Sequence, residues 1–305
     1  MHAAGGPQVL GVDDVPEPRA PRGDELLVRV AASSVNGTDL MLRGGALKLF
    51  TAGRLPVALG FDLAGEVVAR GPRVTAFDVG DRVLALVGHA GGAQADLVLV
   101  PQDRAALQPA ELPDAAAAAL PLAGLTALQA LSGPAALHLR QRPRVLVTGA
   151  SGGIGSFGVQ LAKLAGAHVT AVTTALGADF ARGLGADAVL DRTTTDWTRT
   201  GDRWHVVLDS PGRARFRDAA RALEPDGVLV STRAISTDAL RLPRRGPRRA
   251  AVRTQARSSD LARLARMAVD GRLRVPLHRA LPLEAAREAH THAESGALGK
   301  VVLTL

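Results

Sequence analysis

Apolar and polar positions alternate in short runs over the first third of the chain. Leu26 to Ser33, Asp62 to Gly71, Arg82 to Leu86 and Asp96 to Val100 each read as a strand bounded by glycine-containing turns. Together they predict an antiparallel, barrel-like region. Asp114 to Leu120 then reads as an alanine-rich helix capped by its aspartate, and Pro121 opens a second helix towards Leu131. From Arg144 onwards the period changes. Strands at Arg144 to Gly149, His168 to Thr173, Ala188 to Asp191, His205 to Asp209 and Gly227 to Ser231 alternate with helices at Gly153 to Ala165, Ala178 to Leu184 and Arg213 to Leu223. Such alternation implies right-handed crossovers and a parallel sheet covered on both faces. Ile154, Phe157, Gly158, Leu161 and Ala165 recur at helical spacing, so one face of that helix packs on the sheet. A further helix starts at Ser258-Ser259-Asp260 and runs to Asp270, and Leu298 to Leu305 returns to strand character and rejoins the first region.

A chain of 305 residues is comfortable as two domains. The boundaries drawn from the pattern are 1–118 for the first part of the mostly β domain, 119–268 for the alternating domain, and 269–305 for the return. The fold class is therefore α/β, with a doubly wound domain inserted into a mostly β one. A hydrophobic fraction of 47% with 22% charged residues is ordinary for a folded protein. No run approaches the length needed to cross a bilayer, and Met1 to Gly5 lacks the charged-then-apolar form of a signal peptide, so no membrane partner and a cytoplasmic address are expected.

Cysteine is absent, which excludes disulfides, thiolate catalysis and every cysteine-containing zinc site. The net charge of +8 comes from arginine with hardly any lysine, and is densest between Arg241 and Arg257. A solvated face explains most of it; attraction of an anionic ligand or of nucleic acid are the alternatives. Only the ligand gains support from the motifs, and no nucleic-acid role is expected.

The strand at Val145 runs straight into Gly149-Ala150-Ser151-Gly152-Gly153-Ile154-Gly155 and then into the amphipathic helix. A pyrophosphate needs bare backbone N–H groups and the positive end of a helix, and side chains on the turn would block its approach. The spacing departs from the usual G-x-G-x-x-G, and a tight strand-to-helix connection is the alternative; its place inside a full alternating unit favours dinucleotide binding. NAD binders usually carry an acid about 20 residues further on, at the end of the second strand. Thr173-Thr174-Ala175 stands there, so a hydroxyl can accept a 2′-phosphate that a carboxylate would repel, which favours NADPH. No arginine follows directly, since Leu176 and Gly177 come next.

With these residues in place, the chain resembles the medium-chain dehydrogenase/reductase superfamily, in its zinc-free quinone oxidoreductase-like branch. The matching stretches are Ser33 to Asp39 with Arg43-Gly44, Pro56 to Val67, Val79 to Val83, Leu120 to Leu131, Gly185 to Asp187 and Gly299 to Leu303. The resemblance implies a Rossmann domain inserted into a GroES-like catalytic domain, and NADPH as the hydride source for a quinone or α,β-unsaturated carbonyl. Zinc-dependent relatives place a cysteine near Asn36 and a His-Glu pair after the glycine corresponding to Gly60; here Phe61 and Asp62 follow. No metal is therefore expected.

Carried over by position, Ala150, Ser151, Gly152, Gly153, Ile154 and Gly155 cradle the pyrophosphate, and Thr173 and Thr174 lie near the adenosine ribose. Asn36 and Thr126 border the nicotinamide and the reacting carbonyl. Asp39 reads equally as an orienter of that loop and as a turn-stabilising aspartate. Lys300 reads either as approaching the cofactor or as a lysine at the entry to a strand. Asp209 reads as the end of a sheet strand. The branch usually carries a tyrosine shortly after the arginine-glycine step, and this chain has none. Solvent, a substrate hydroxyl or His89 could supply the proton in its place. The family segment corresponding to Gly5 to Leu10 is normally preceded by a complete strand. The family's dimer joins sheet edges, which puts the pairing strand at Ala250 to Gln255 and makes a homodimer the expectation. Two other readings keep the fold: a reductive cyclase or tailoring enzyme of secondary metabolism, and a non-catalytic dinucleotide-binding protein.

Overall fold

The structure, a computed structural model, describes residues 1–47, 55–88, 91–233 and 246–305. His89 and the arginines from Arg241 to Arg245 lie outside these residues. Strands β1 (Glu25–Val35), β2 (Asp62–Arg70), β3 (Arg82–Leu86), β4 (Leu97–Pro101) and β5 (Ala105–Leu107) come first. Next are β6 (Arg144–Thr148), β7 (His168–Thr173), β8 (Ala188–Asp191), β9 (Trp204–Asp209), β10 (Leu223–Ser231) and β11 (Arg248–Ala251), followed by β12 (Leu277–Pro282) and β13 (Lys300–Thr304).

The chain divides into two compact units: Met1–Leu125 with Ala256–Gly271 and Val275–Leu305, and Thr126–Gln255 with Arg272–Arg274. The helix Ser258–Val269 therefore belongs with the first unit, whereas the pattern-based boundary at 268 puts it in the alternating domain. Its apolar face explains the difference: Leu261, Leu264 and Met267 are buried, and Leu264 packs against Gly124.

In the first unit the sheet order is β12-β13-β1-β2-β3-β5, with β4 also pairing β1. All pairs are antiparallel except β12 with β13. Along β1 burial alternates, with Leu26, Val28 and Val30 inward against Leu63, Val67, Val83 and Val98. The alternation stops at Ala32, after which Ser33, Ser34 and Val35 are all buried. A strand buried on both faces cannot keep two hydroxyls inside unless something bonds them.

Among the described residues the second unit holds a six-stranded parallel sheet in the order β11-β10-β9-β6-β7-β8. Val145, Leu146 and Val147 are fully buried, as a central strand covered on both faces requires. Trp204, Val207, Leu229 and Val172 pack with Leu146 in its core. The helix expected at Arg213 to Leu223 shrinks to Phe216–Ala219 and a single 3-10 turn at Ala220–Ala222. Asp209 is the reason: its carboxylate accepts the amides of Arg213 (3.2 Å) and Ala214 (2.9 Å) and holds that segment out of the helix. Among the described residues the two edge strands are β8 and β11, and β11 starts two residues earlier than the pairing strand read from the sequence.

Candidate functional site

In the parallel sheet the strand order reverses between β6 and β9, and in open α/β sheets ligands bind beyond the strand ends at such a switch point. Gly149 leaves β6 there with φ +62°, and Gly152 caps the helix Gly153–Leu164. That helix has no acidic residue in its first turn. The amides of Gly153, Ile154 and Gly155 have no carbonyl one turn earlier to bond, so they form an anion-binding end. The turn is too tight for side chains. A Cβ on Gly155 would lie 2.1 Å from the Gly149 carbonyl oxygen and 2.8 Å from Ala150 Cα. These backbone features fit the pyrophosphate of a dinucleotide.

Thr173, at the end of β7, donates through Oγ1 to Ser151 Oγ at 2.7 Å. Its hydroxyl is thus spent on bracing the turn, and of the two threonines Thr174 is the one left half-buried beyond the strand. The floor of the switch point is built by residues the sequence reading left structural. Asp209 accepts Thr148 Oγ1 (3.0 Å) and Ser231 Oγ (3.2 Å) besides its two amides, and Ser210 Oγ donates to the Thr148 carbonyl at 2.7 Å. Thr126 also belongs to this unit, buried, with its hydroxyl 2.7 Å from that of Thr254.

The first unit carries a separate polar cluster at the doubly buried end of β1, and it brings Asn36, Asp39 and Lys300 together. Asn36 caps the helix Gly37–Arg43. Asp39, three residues on, accepts the Asn36 N–H at 2.8 Å through Oδ2 and the Gly60 N–H at 2.7 Å through Oδ1. Asp39 thus caps its own helix and ties the loop before β2 to it. Gly60 has φ +93°, and a Cβ there would sit 2.6 Å from the Gln94 amide nitrogen and 2.9 Å from Ser33 Oγ. Burial pushes the Asp39 carboxyl up to about 7 against the pull of the two amides.

Asp62, the first residue of β2, is the hub. It accepts Ser34 Oγ at 2.5 Å and Asn36 Nδ2 at 3.0 Å on Oδ2, and the Leu122 amide at 2.8 Å on Oδ1. Leu122 follows Pro121 at the start of its helix, so Asp62 satisfies an orphan amide at a positive helix end. Lys300 enters from β13, which pairs with β1 in the register Val35 with Val301. Its Nζ donates to Asn36 Oδ1 at 2.5 Å and to the Val35 carbonyl at 3.3 Å, and stands 3.9 Å from Asp62 Oδ2. Burial lowers the Lys300 pKa and raises that of Asp62, while their mutual attraction opposes both shifts. No sequence signal marked Asp62 as central, because its partners lie 26, 28, 60 and 238 positions away.

The alcohol dehydrogenase GroES-like domain family model matches residues 22–110, and the zinc-binding dehydrogenase model matches residues 184–303. A chloroplast envelope quinone oxidoreductase homolog of Arabidopsis thaliana is 37% identical over 244 residues, 75% of this chain and 74% of that protein. Among solved structures, the quinone oxidoreductase from Coxiella burnetii matches with a TM-score of 0.91 at 28% identity, over 100% of this chain and 98% of that one. The Escherichia coli quinone oxidoreductase complexed with NADPH matches with a TM-score of 0.85 at 26% identity, again over 100% and 98%. Among the described residues no helix is long and apolar enough to cross a membrane. A dinucleotide turn at the switch point of one unit, a GroES-like sheet in the other and relatives this close over most of the length have one common reading: the chain belongs to the medium-chain dehydrogenase/reductase superfamily, in its quinone oxidoreductase-like branch.

Proposed function

We propose that the protein is a zinc-independent reductase that uses NADPH to deliver a hydride to a quinone or an α,β-unsaturated carbonyl. The observation that carries the reading is the state of Asp62. It stands where zinc-dependent relatives have the glutamate of their His-Glu pair, and its carboxylate is fully committed to Ser34, Asn36 and Leu122. Phe61 replaces the histidine beside it. A site without a Lewis acid polarises an ordinary carbonyl poorly, so acceptors that are already electron-poor, such as enones and quinones, are the matching substrates.

When bound, the dinucleotide supplies a hydride from C4 of its nicotinamide. The chain's part is binding and orientation. The amides of Gly153, Ile154 and Gly155 take the pyrophosphate, Thr173 holds Ser151 in place, and Thr174 offers a hydroxyl at the ribose. Asn36, in the first unit, is the residue for the nicotinamide and the reacting carbonyl and is fixed by hydrogen bonds rather than free to rotate; in the second unit Thr126 is fixed by its bond to Thr254. Thr174 in place of an acid is what supports NADPH over NADH. The outer position of β11 supports a homodimer joined at that edge, for which a light-scattering mass near twice 31.5 kDa is expected.

The test is a fluorescence titration with NADPH and NADH, followed by loss of reduced-cofactor absorbance against a panel of quinones and enones. Tighter binding of NADPH with turnover of part of the panel is expected. Failure to bind either cofactor, or binding with no turnover across the panel, would sink the reductase reading.

A further inference from the structure

The side-chain amide of Asn36 has an orientation that its neighbours dictate. Lysine can only donate, so the atom 2.5 Å from Lys300 Nζ must be the amide oxygen. The atom 3.0 Å from Asp62 Oδ2 must then be the nitrogen, whose donors are spent on Asp62 and on Ser34, at 3.2 Å to its carbonyl and 3.3 Å to its hydroxyl. Both amide hydrogens therefore face inward. What remains unspent is the second lone pair of Oδ1.

We propose that Lys300 and Asp62 are positioning residues that lock the Asn36 amide with its donors inward, so that Asn36 meets its ligand as a hydrogen-bond acceptor and not as a donor. The ligand group it fits is an N–H or O–H, such as a carboxamide N–H of the cofactor or a hydroxyl of a reduced product, and not a carbonyl oxygen. The proposal rests on the reading of Asn36 as a residue bordering the reacting groups, and it replaces direct cofactor contact as the role of Lys300.

Three features make the lock stiff. Lys300 and Asp62 are both fully buried and opposite in charge, so removing either leaves an uncompensated buried ion. Ser33 and Ser34 pin the same corner, with Ser33 Oγ donating to the Asp62 carbonyl at 2.7 Å. Asp39 holds the backbone of Asn36 itself. The amide is thus constrained at its nitrogen, its oxygen and its main chain by four different elements.

The test compares four whole-chain variants: Lys300→Met, Asp62→Asn, Asn36→Asp, and the exchange Asn36→Asp with Asp62→Asn. In the exchange, a carboxylate at 36 still accepts from Lys300 and an amide at 62 donates to it, while the net charge of the cluster is unchanged. The three single variants are expected to lose roughly 100-fold in kcat, the order of loss that misplacing a positioned group causes, with a smaller loss of NADPH affinity than of rate. The exchange is expected to recover most of that rate. A Lys300→Met variant that keeps its kcat, or loses NADPH affinity as strongly as rate, would overturn the proposal, as would an exchange no better than its component singles. Should Lys300→Met not fold, the near-isosteric singles at 36 and 62 and their exchange carry the comparison. A readout independent of turnover comes from NMR of the free protein. The Asn36 side-chain amide protons, assigned by their loss in Asn36→Asp, should exchange slowly in the native chain and rapidly in Asp62→Asn. Fast exchange in the native chain would refute the lock even if the wild type reduced none of the acceptors, a result that by itself tells only against the reductase reading.

Discussion

Replacing Asp39 by asparagine keeps the shape of the side chain and changes only what its two ends can do. In the native chain Oδ2 accepts the Asn36 N–H and Oδ1 the Gly60 N–H. One end of asparagine is an NH2, and a backbone N–H cannot become an acceptor, so one buried amide loses its partner whichever way the side chain turns. An unsatisfied buried donor costs about 1–3 kcal/mol. Against this stands ionisation, because burial pushes the Asp39 pKa up to about 7. An unfolded aspartate titrates near 3.9 (about that value in peptides), so between the two values the folded state holds more protons than the unfolded one. Native stability from this group is therefore present in full at low pH and is lost as pH rises towards the folded value. Integrated from pH 5 to pH 7, the loss is roughly 2 kcal/mol, and asparagine has no such dependence. At pH 5 the native acid is protonated and offers one full and one weak acceptor, so the variant should be less stable by about 1 kcal/mol, the low end of the range. Near pH 8 the variant should draw level or move ahead. Urea unfolding followed by circular dichroism at both pH values checks this; tryptophan fluorescence would not, since Trp197 and Trp204 both lie in the other unit. A variant equally destabilised at both pH values would refute the reasoning, because Asp39 would then be ionised throughout.

Two further outcomes follow from the second unit. Gly155→Ala puts a methyl against backbone that cannot move aside, so dinucleotide affinity should fall by about tenfold or more, equivalent to at least about 1.4 kcal/mol, in the NADPH titration. Gln160 donates to the Ser156 and Arg274 carbonyls and accepts the Arg274 amide at 2.7 Å. Gln160→Leu should cost about 1–3 kcal/mol, read as a lower thermal midpoint by tryptophan fluorescence, and an unchanged midpoint would mean that water replaces the lost bonds.

The parallel sheet was the most legible part of the chain, because its strands are short apolar runs set between helical periods, and β7 and β8 have the bounds read from the pattern. The glycine turn was legible for the same reason, since its residues are contiguous. Local signals at Asn36 and Asp39 were also present: a capping residue followed three positions later by an acid marks a helix start, and the helix Gly37–Arg43 begins there. The helix Ala286–Glu294 and strand β12 left weaker traces. Every residue of β12 except Leu281 is exposed, so no alternation marks it. The role of Asp62 was invisible, because it comes from four long-range contacts that no window spans. Thr173 shows the converse limit: the pattern marks its position at the end of the second parallel strand, but not that its hydroxyl is engaged with Ser151.

The placement of β13 has a consequence for how the protein is made. The strand lies inside its sheet, between β12 and β1, rather than at an edge. Residues 126–255 supply nearly all of the second unit from one continuous stretch, so that unit can complete its sheet while synthesis is still under way. The first unit cannot, since β1 waits for a neighbour made some 265 residues later. Until then Asn36 and Asp62 sit in an open seam without their lysine, and a nascent chain exposes the unpaired end of β1, Ala32 to Val35, to any other strand it meets. A ribosome stalled shortly before Lys300 would thus release a chain that holds every strand of the parallel sheet but cannot assemble the buried cluster.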